Sequence, residues 1–218
     1  MSVISYKKSS LGEGQYDDGY SSPQLLWGNS PAGLVKRSLD FLNLDSNIKA
    51  ADLGCGEGKN SYYLALNGVN VSAFDISSVA IQKAMKTWPM QDNIVWTVKD
   101  IRKIDLHSDT YDLVLMTGPL HCLNNKSEVI NVINKAKEIT KVGGLHVLSI
   151  FNSGKHDFSG HDESFSPILL THEFYLGLYS DWEIIHESNK ILDDIHPHNG
   201  IPHFHSITRL LLRRIEKK

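Results

Sequence analysis

The sequence predicts an α/β domain built on one doubly wound sheet of seven strands, mostly parallel with the last strand antiparallel, and with helices on both faces. Three observations predict it. Segments with strand and helix periodicity alternate from Ile48 onward, the pattern of a parallel sheet covered on both sides. Alternate glycines, Gly54, Gly56 and Gly58, stand where the first strand gives way to a helix. The last two strand segments follow one another with no helix between them, and strands joined without a crossover must run antiparallel.

The elements follow in order. Residues 1–24 are polar and rich in Gly, Ser, Asp and Tyr, so they read as a flexible arm or lid ahead of a single domain at 25–218. Pro31 opens a helical pattern in which Leu34, Val35, Leu39, Phe41 and Leu42 recur. Strands are expected at 48–53, 69–75, 94–99, 111–116 and 145–151, and helices at 59–67, 78–87 and 128–139. Ser77 or Ser78 supplies the cap of the helix at 78–87, and Gly143-Gly144 makes the turn before the fifth strand. The end breaks this rhythm, with a helix at 171–178 and strands at 182–188 and 204–215.

Bulk properties narrow the function. The 218 residues, 41 % hydrophobic and 22 % charged, suit one globular core. A net charge of −3 without a sustained basic stripe leaves no nucleic-acid partner to expect. No apolar run approaches the roughly 20 residues that cross a bilayer, and MSVISYKKSS lacks the apolar core of a secretory signal. A cytoplasmic protein with no membrane partner, monomeric or homodimeric, is the expectation. Cys55 and Cys122 are far apart and outside any metal-ligand pattern, as free thiols of a reducing compartment are.

The glycine turn carries the first chemical signal. A phosphate-binding turn is spaced G-x-G-x-x-G, whereas Asp52-Leu53-Gly54-Cys55-Gly56-Glu57-Gly58 is spaced G-x-G-x-G with an acid in front. A carboxylate there repels a pyrophosphate and welcomes an ammonium group, directly or through water. Asp75 ends the second strand, placed for both hydroxyls of a ribose. Asp100 and Ile101 follow the third, a carboxylate for an adenine amino group beside an apolar side chain for the ring. Three carboxylates at successive strand ends suit a nucleoside that is cationic at sulfur and carries no phosphate, namely S-adenosylmethionine.

These motifs, with Tyr111-Asp112, resemble in order and spacing those of class I S-adenosylmethionine-dependent methyltransferases, a Rossmann-like family, over residues 25–215. Leu26-Trp27-Gly28 and Gly58-Lys59-Asn60-Ser61-Tyr62-Tyr63-Leu64-Ala65 are similar to the tellurite-resistance-type small-molecule enzymes. The resemblance implies methyl transfer by in-line displacement to N, O or S of a small-molecule acceptor. It implies cofactor contacts from Trp27, Asp52, Gly54, Cys55, Gly56, Asn60, Asp75, Ile76, Asp100, Ile101 and Thr117. A non-catalytic module that binds S-adenosylmethionine or S-adenosylhomocysteine is the rival, and an NAD oxidoreductase a more distant third.

In this fold the acceptor sits beyond the carboxyl ends of the middle strands. His121, in Thr117-Gly118-Pro119-Leu120-His121, points in or caps the next helix. Most of the eleven histidines fall after Ser153, many in 154–162 and in His196-Pro197-His198-Asn199-Gly200-Ile201-Pro202-His203-Phe204-His205. If the sixth strand is parallel and the seventh antiparallel, their connection lies on the same edge as Asp52. Alternation places His203 and His205 on one face with Phe204 opposite. Clustered imidazoles can take a proton or orient an acceptor, can decorate a polar hairpin, or can bind a metal. The first reading ranks first, with His121, His203 and His205 as catalytic residues, Tyr16, Asn152, His156 and His198 on the acceptor, and no metal ligand assigned.

Overall fold

The computed structural model describes residues 16–89, 91–163, 165–197 and 199–216. In chain order these form α1 (Asp17–Tyr20), α2 (Gly33–Ser38), β1 (Lys49–Leu53), α3 (Lys59–Leu66), β2 (Asn70–Asp75), α4 (Ser78–Thr87) and β3 (Ile94–Val98). There follow β4 (Tyr111–Thr117), α5 (Lys126–Ile139), β5 (Thr140–His156), α6 (His172–Leu178), β6 (Trp182–Ile195) and β7 (Pro202–Arg214). One seven-stranded sheet runs β3-β2-β1-β4-β5-β7-β6. Strands β1 to β5 pair in parallel, and β7 is antiparallel to both β5 and β6. The architecture is that predicted from the alternating periodicity.

Helices on both faces explain why β4 shows no alternation. Leu113, Val114, Leu115 and Met116 are all fully buried. Leu113 and Leu115 join one apolar cluster with Val35, Leu64 and Leu211, whereas Val114 and Met116 join the other with Val129, Ile133 and Tyr175. Val129, Val132, Ile133, Ala136 and Ile139 form the buried stripe of α5, and each larger aliphatic among them contributes about 1.5–3 kcal/mol. Asn125 starts that helix by accepting from Glu128 N at 3.0 Å, and Ser77 starts α4 by accepting from Ala80 N at 3.0 Å.

The structure departs from expectation at a few elements. The helix opened by Pro31 is shorter, ending at Ser38 with a 3-10 turn at Leu39–Phe41. Strand β6 runs on to Ile195 and β5 spans Thr140–His156. Past Ser188, β6 is the sheet edge, exposed or half-buried at every residue, so no apolar alternation marks it. Part of the expected arm is ordered: α1 buries Tyr20 against Leu26 and Ala80. Among the described residues no helix is long and apolar enough to cross a membrane.

This topology places the site. β6 runs with the parallel strands, so the ends of β1, β2, β4, β5 and β6 and the start of β7 share one edge. The strand order reverses between β1 and β4, where open α/β sheets leave a ligand crevice.

Candidate active site

The glycine turn is built by its neighbours as much as for a ligand. Gly58 has φ +82°, and a Cβ there would stand 2.3 Å from Trp96 Cη2, so the protein itself requires a glycine. Gly56, at φ +53°, faces the overlying segment: a Cβ would meet the Tyr20 hydroxyl at 3.0 Å and Trp27 Cδ1 at 3.8 Å. Gly54, at φ +81°, is demanded by the protein as well, because a Cβ there would stand 2.5 Å from Pro119 Cβ. Gly54 N and Cys55 N both donate to Phe74 O, at 2.8 and 2.9 Å. The Cys55 thiol lies in the apolar cluster of α3, raised well above its usual range by burial.

Two carboxylates anchor the turn. Asp52 is fully buried. Its Oδ2 accepts from Ser61 Oγ at 2.7 Å, and its Oδ1 has no partner. Burial pushes its pKa up to about 7, against the Ser61 hydrogen bond and with help from the charge of Asp75. Asp75 Oδ2 accepts from Gly56 N at 2.7 Å and Oδ1 from Ser77 N at 2.9 Å. Burial raises its pKa too, and these N–H groups oppose the shift. Two hydrogen bonds leave further lone pairs on its oxygens.

Other expected contacts turn out to be engaged within the protein. Asn60 Oδ1 accepts from Ala32 N at 2.9 Å while its Nδ2 donates to Thr117 Oγ1 at 3.0 Å, tying α3 to the end of β4. Ile76 is half-buried beside Asp75, and Ile101 packs on the α5 cluster. Asp100 is held by Arg102, whose Nε reaches both its oxygens at 2.9 and 3.0 Å. Burial raises the Asp100 pKa, but the Arg102 hydrogen bonds and charge outweigh it and leave it lowered. That pairing competes with the adenine contact expected of it.

Sequence reasoning missed Glu57. Its carboxylate is 3 % exposed and forms an ion pair with Lys83 at 2.7 Å. It also accepts from Leu26 N at 3.1 Å and Trp27 N at 3.3 Å. The segment from Tyr16 to Trp27 is thereby latched over the glycine turn, with Trp27 Nε1 donating to the Tyr20 hydroxyl at 3.3 Å. An acid inside the turn, G-E-G, was the available signal, and Tyr20 left none.

The acceptor side gathers imidazoles. His121 stacks on Phe151, centroids 4.1 Å apart, and does not cap α5. Its Nδ1 accepts from Phe151 N at 3.3 Å, and burial lowers its pKa to about 3, with His161 and His156 adding to the shift. A neutral ring whose Nδ1 accepts carries its proton on Nε2, so His121 presents a donor there. The Asn152 amide is engaged within the protein, with Gly154 N, Asn189 Oδ1 and Thr208 Oγ1 at 2.9–3.0 Å, which fixes β5 to its neighbours. His156 Nε2 donates to Asn152 O at 2.6 Å. His203 and His205 are buried on one face of β7 as alternation predicted, near His161 and His196, which were not singled out. His198 lies outside the described residues.

A cavity of about 350 Å³ opens beside this group, lined by Tyr16, Leu26, His161, Phe165, His196 and Asn199 among others. The Trp27 ring stands edge-on to His196, at 5.0 Å between centroids.

Comparison with known proteins places this geometry. The family model described as "Tellurite resistance protein TehB" matches residues 36–200. A curated relative from Haemophilus influenzae, named "Probable S-adenosyl-L-methionine-dependent methyltransferase TehB", is 29 % identical over 163 residues, 72 % of this chain and 54 % of its own. The chain thus spans about half the length of that relative. The crystal structure of TehB from Haemophilus influenzae superposes with TM-score 0.70 at 23 % identity, over 91 % of this chain and 65 % of that one. An S-adenosylmethionine-dependent methyltransferase structure from Methanosarcina mazei gives 0.67 at 18 %, over 86 % of this chain and all of that one. The architecture is therefore the Rossmann-like methyltransferase fold, and with three quarters of its length inside the matching model the chain belongs to the tellurite resistance protein TehB family.

Proposed function

We propose that this chain is an S-adenosylmethionine-dependent methyltransferase acting on a nitrogen, oxygen or sulfur atom of a small-molecule acceptor. The observation that carries the reading is Asp52 Oδ1, a fully buried carboxylate oxygen without a partner beside the glycine turn. Buried polar atoms demand partners, and a carboxylate pair at this edge, Asp52 with Asp75, selects a cation over a phosphate. The residues fit the amino-acid nucleoside: Asp52 for its ammonium, directly or through water, Gly56 for close approach, Asp75 for the ribose, and Ile76 and Ile101 for the base. When bound, S-adenosylmethionine supplies a methyl group already activated on a cationic sulfur.

The chain's own groups do the rest. The latched segment from Tyr16 to Trp27 excludes water from the turn. The cavity beside Phe165 and His196 holds the acceptor against the strand ends, and good alignment alone can lower a barrier by up to roughly 7–11 kcal/mol. His121 offers an Nε2–H to orient the acceptor. A soft acceptor such as a thiolate needs no base, whereas a protonated one requires a nitrogen lone pair nearby, for which His203 and His205 are placed.

Calorimetric titration with S-adenosylhomocysteine and with NAD tests the cofactor, and a methyl-release assay on thiols, amines, phenols and carboxylic acids tests the reaction. The homocysteine nucleoside should bind and NAD should not. A folded protein that ignores S-adenosylhomocysteine overturns the reading, and one that binds it yet methylates nothing in any class is the binding module instead.

A further inference from the structure

Four imidazoles converge at the carboxyl edge, and their hydrogen bonds fix where two of the lone pairs point. His203 Nδ1 lies 2.8 Å from Ile201 O. A carbonyl only accepts, so Nδ1 carries the proton and Nε2 the lone pair. That Nε2 is buried and has no partner, on a residue 4 % exposed. His156 Nε2 donates to Asn152 O, which leaves His156 Nδ1 to accept from His205 Nδ1 at 3.2 Å. The relay leaves His205 with its lone pair on Nε2, which accepts from His161 Nε2 at 2.9 Å, a proton that a bound ion would replace. An imidazole whose second nitrogen donates to a backbone carbonyl or another fixed acceptor is the arrangement that orients metal ligands.

The His161–His196 pair already stands at ligand spacing, with His203 close by. One ring nitrogen each from His161, His196 and His203 lie within 4.8 Å of one another, and the Nε2 atoms of His161 and His196 are 3.5 Å apart. Two imidazoles at about 2.0–2.1 Å on a tetrahedral ion stand about 3.4 Å apart. The supports are built in: Asn199 Nδ2 donates to Gly160 O at 2.8 Å, locking the loop that carries His161 to the turn after β6. A Cβ at Gly160 would strike His203 Nδ1 at 2.3 Å, so the loop can approach β7 only with glycine there.

We infer that His161, His196 and His203, with His205 adjoining, bind one divalent transition-metal ion of the zinc type, open toward the cavity of Tyr16 and Phe165. Imidazole donors without a carboxylate or thiolate suit zinc, nickel, cobalt or ferrous ions. The ion replaces the base role of His203 and His205. Its open position takes the donor atom of the acceptor, a thiol or hydroxyl that binds as thiolate or alkoxide with its proton released to solvent water. That last role rests on the proposed methyl transfer; the binding site does not.

The test strips the full chain with chelator, then titrates it with Co²⁺ and with Zn²⁺ in the absence of nucleoside, following Co²⁺ ligand-field absorption and calorimetric stoichiometry. One ion per chain with a nitrogen-rich spectrum is expected. His203→Ala and His196→Gln should each weaken binding by at least about a hundredfold, and His156→Phe, which keeps the ring volume and loses the relay, by about 10–100-fold. His186→Ala, at an exposed ring on Arg37, should change nothing. S-adenosylhomocysteine affinity, measured on the same samples, reports the cofactor site independently. No binding at micromolar ion by folded protein overturns the inference, as does binding that His203→Ala and His196→Gln leave intact. Should His203→Ala fail to fold, His196→Gln and His156→Phe decide alone.

Discussion

Asp52→Asn isolates the buried carboxylate on which the functional reading stands. The side chain titrates near 4 in an unfolded chain, and burial carries it to about 7 in the fold. Each pKa unit corresponds to about 1.4 kcal/mol, so holding the ionised group without a counter-charge costs up to about 4 kcal/mol at pH 8. The folded state keeps the proton longer than the unfolded chain does. The stability is therefore intact below about pH 4, falls steadily as pH rises to about 7, and is level above that. The amide keeps an acceptor for Ser61 and removes the charge. With about 2.1 cal/mol/K of unfolding entropy per residue, the variant should melt up to about 9 °C above wild type at pH 8, with about half that gain at pH 5.5. Cofactor binding should move the other way, because an ammonium favours the ionised form. Wild-type affinity for S-adenosylhomocysteine should drop below pH 7 by up to about tenfold per unit, while the variant binds at least about tenfold more weakly at pH 8 and without that slope. Scanning fluorimetry and calorimetry at the two pH values read both. An equal melting difference at both pH values, or unchanged affinity in the variant, refutes the argument.

Three further outcomes follow from the same geometry. Asp75→Ala frees the N–H groups of Gly56 and Ser77 as well as the ribose partner, so S-adenosylhomocysteine affinity should fall more than about tenfold by calorimetry. Gly58→Ala combines a left-handed backbone with the collision against Trp96, and a loss on the order of 2–4 kcal/mol should appear as a lower urea midpoint. Glu57→Ala takes the carboxylate from Lys83, Leu26 N and Trp27 N and loosens the segment from Tyr16 to Trp27, which Lys83 still holds through Ser22 O and Gln24 O. Breaking such a buried pair costs about 3–5 kcal/mol, read as faster chymotryptic cleavage at Tyr20 and Trp27 before the core unfolds.

The parallel half of the fold was legible because burial on both faces leaves a plain signature. The run from Tyr111 to Met116 and the stripe of α5 could hardly be read otherwise. What escaped has a physical reason in each case. The outer half of β6 is a solvated edge, and α1 is a single turn of DDGY without a period. At the site, residue type located Asp52, Asp75 and the histidines, but their partners come from distant strands. That His121 accepts from Phe151 N, or that Asn152 is engaged by Asn189 and Thr208, depends on strand register that no local pattern carries. Glu57 escaped because a glycine turn draws attention to its glycines.

That same glutamate joins the cradle to its cover. Since the segment ending at Trp27 is fastened to the turn it overlies, a nucleoside cannot arrive or depart without undoing the fastening. Loading should therefore reach a ceiling as nucleoside concentration rises, set by how often the cover lifts rather than by diffusion. Turnover in such an enzyme would be timed by a hinge at its beginning, far in sequence from the histidines that meet the acceptor.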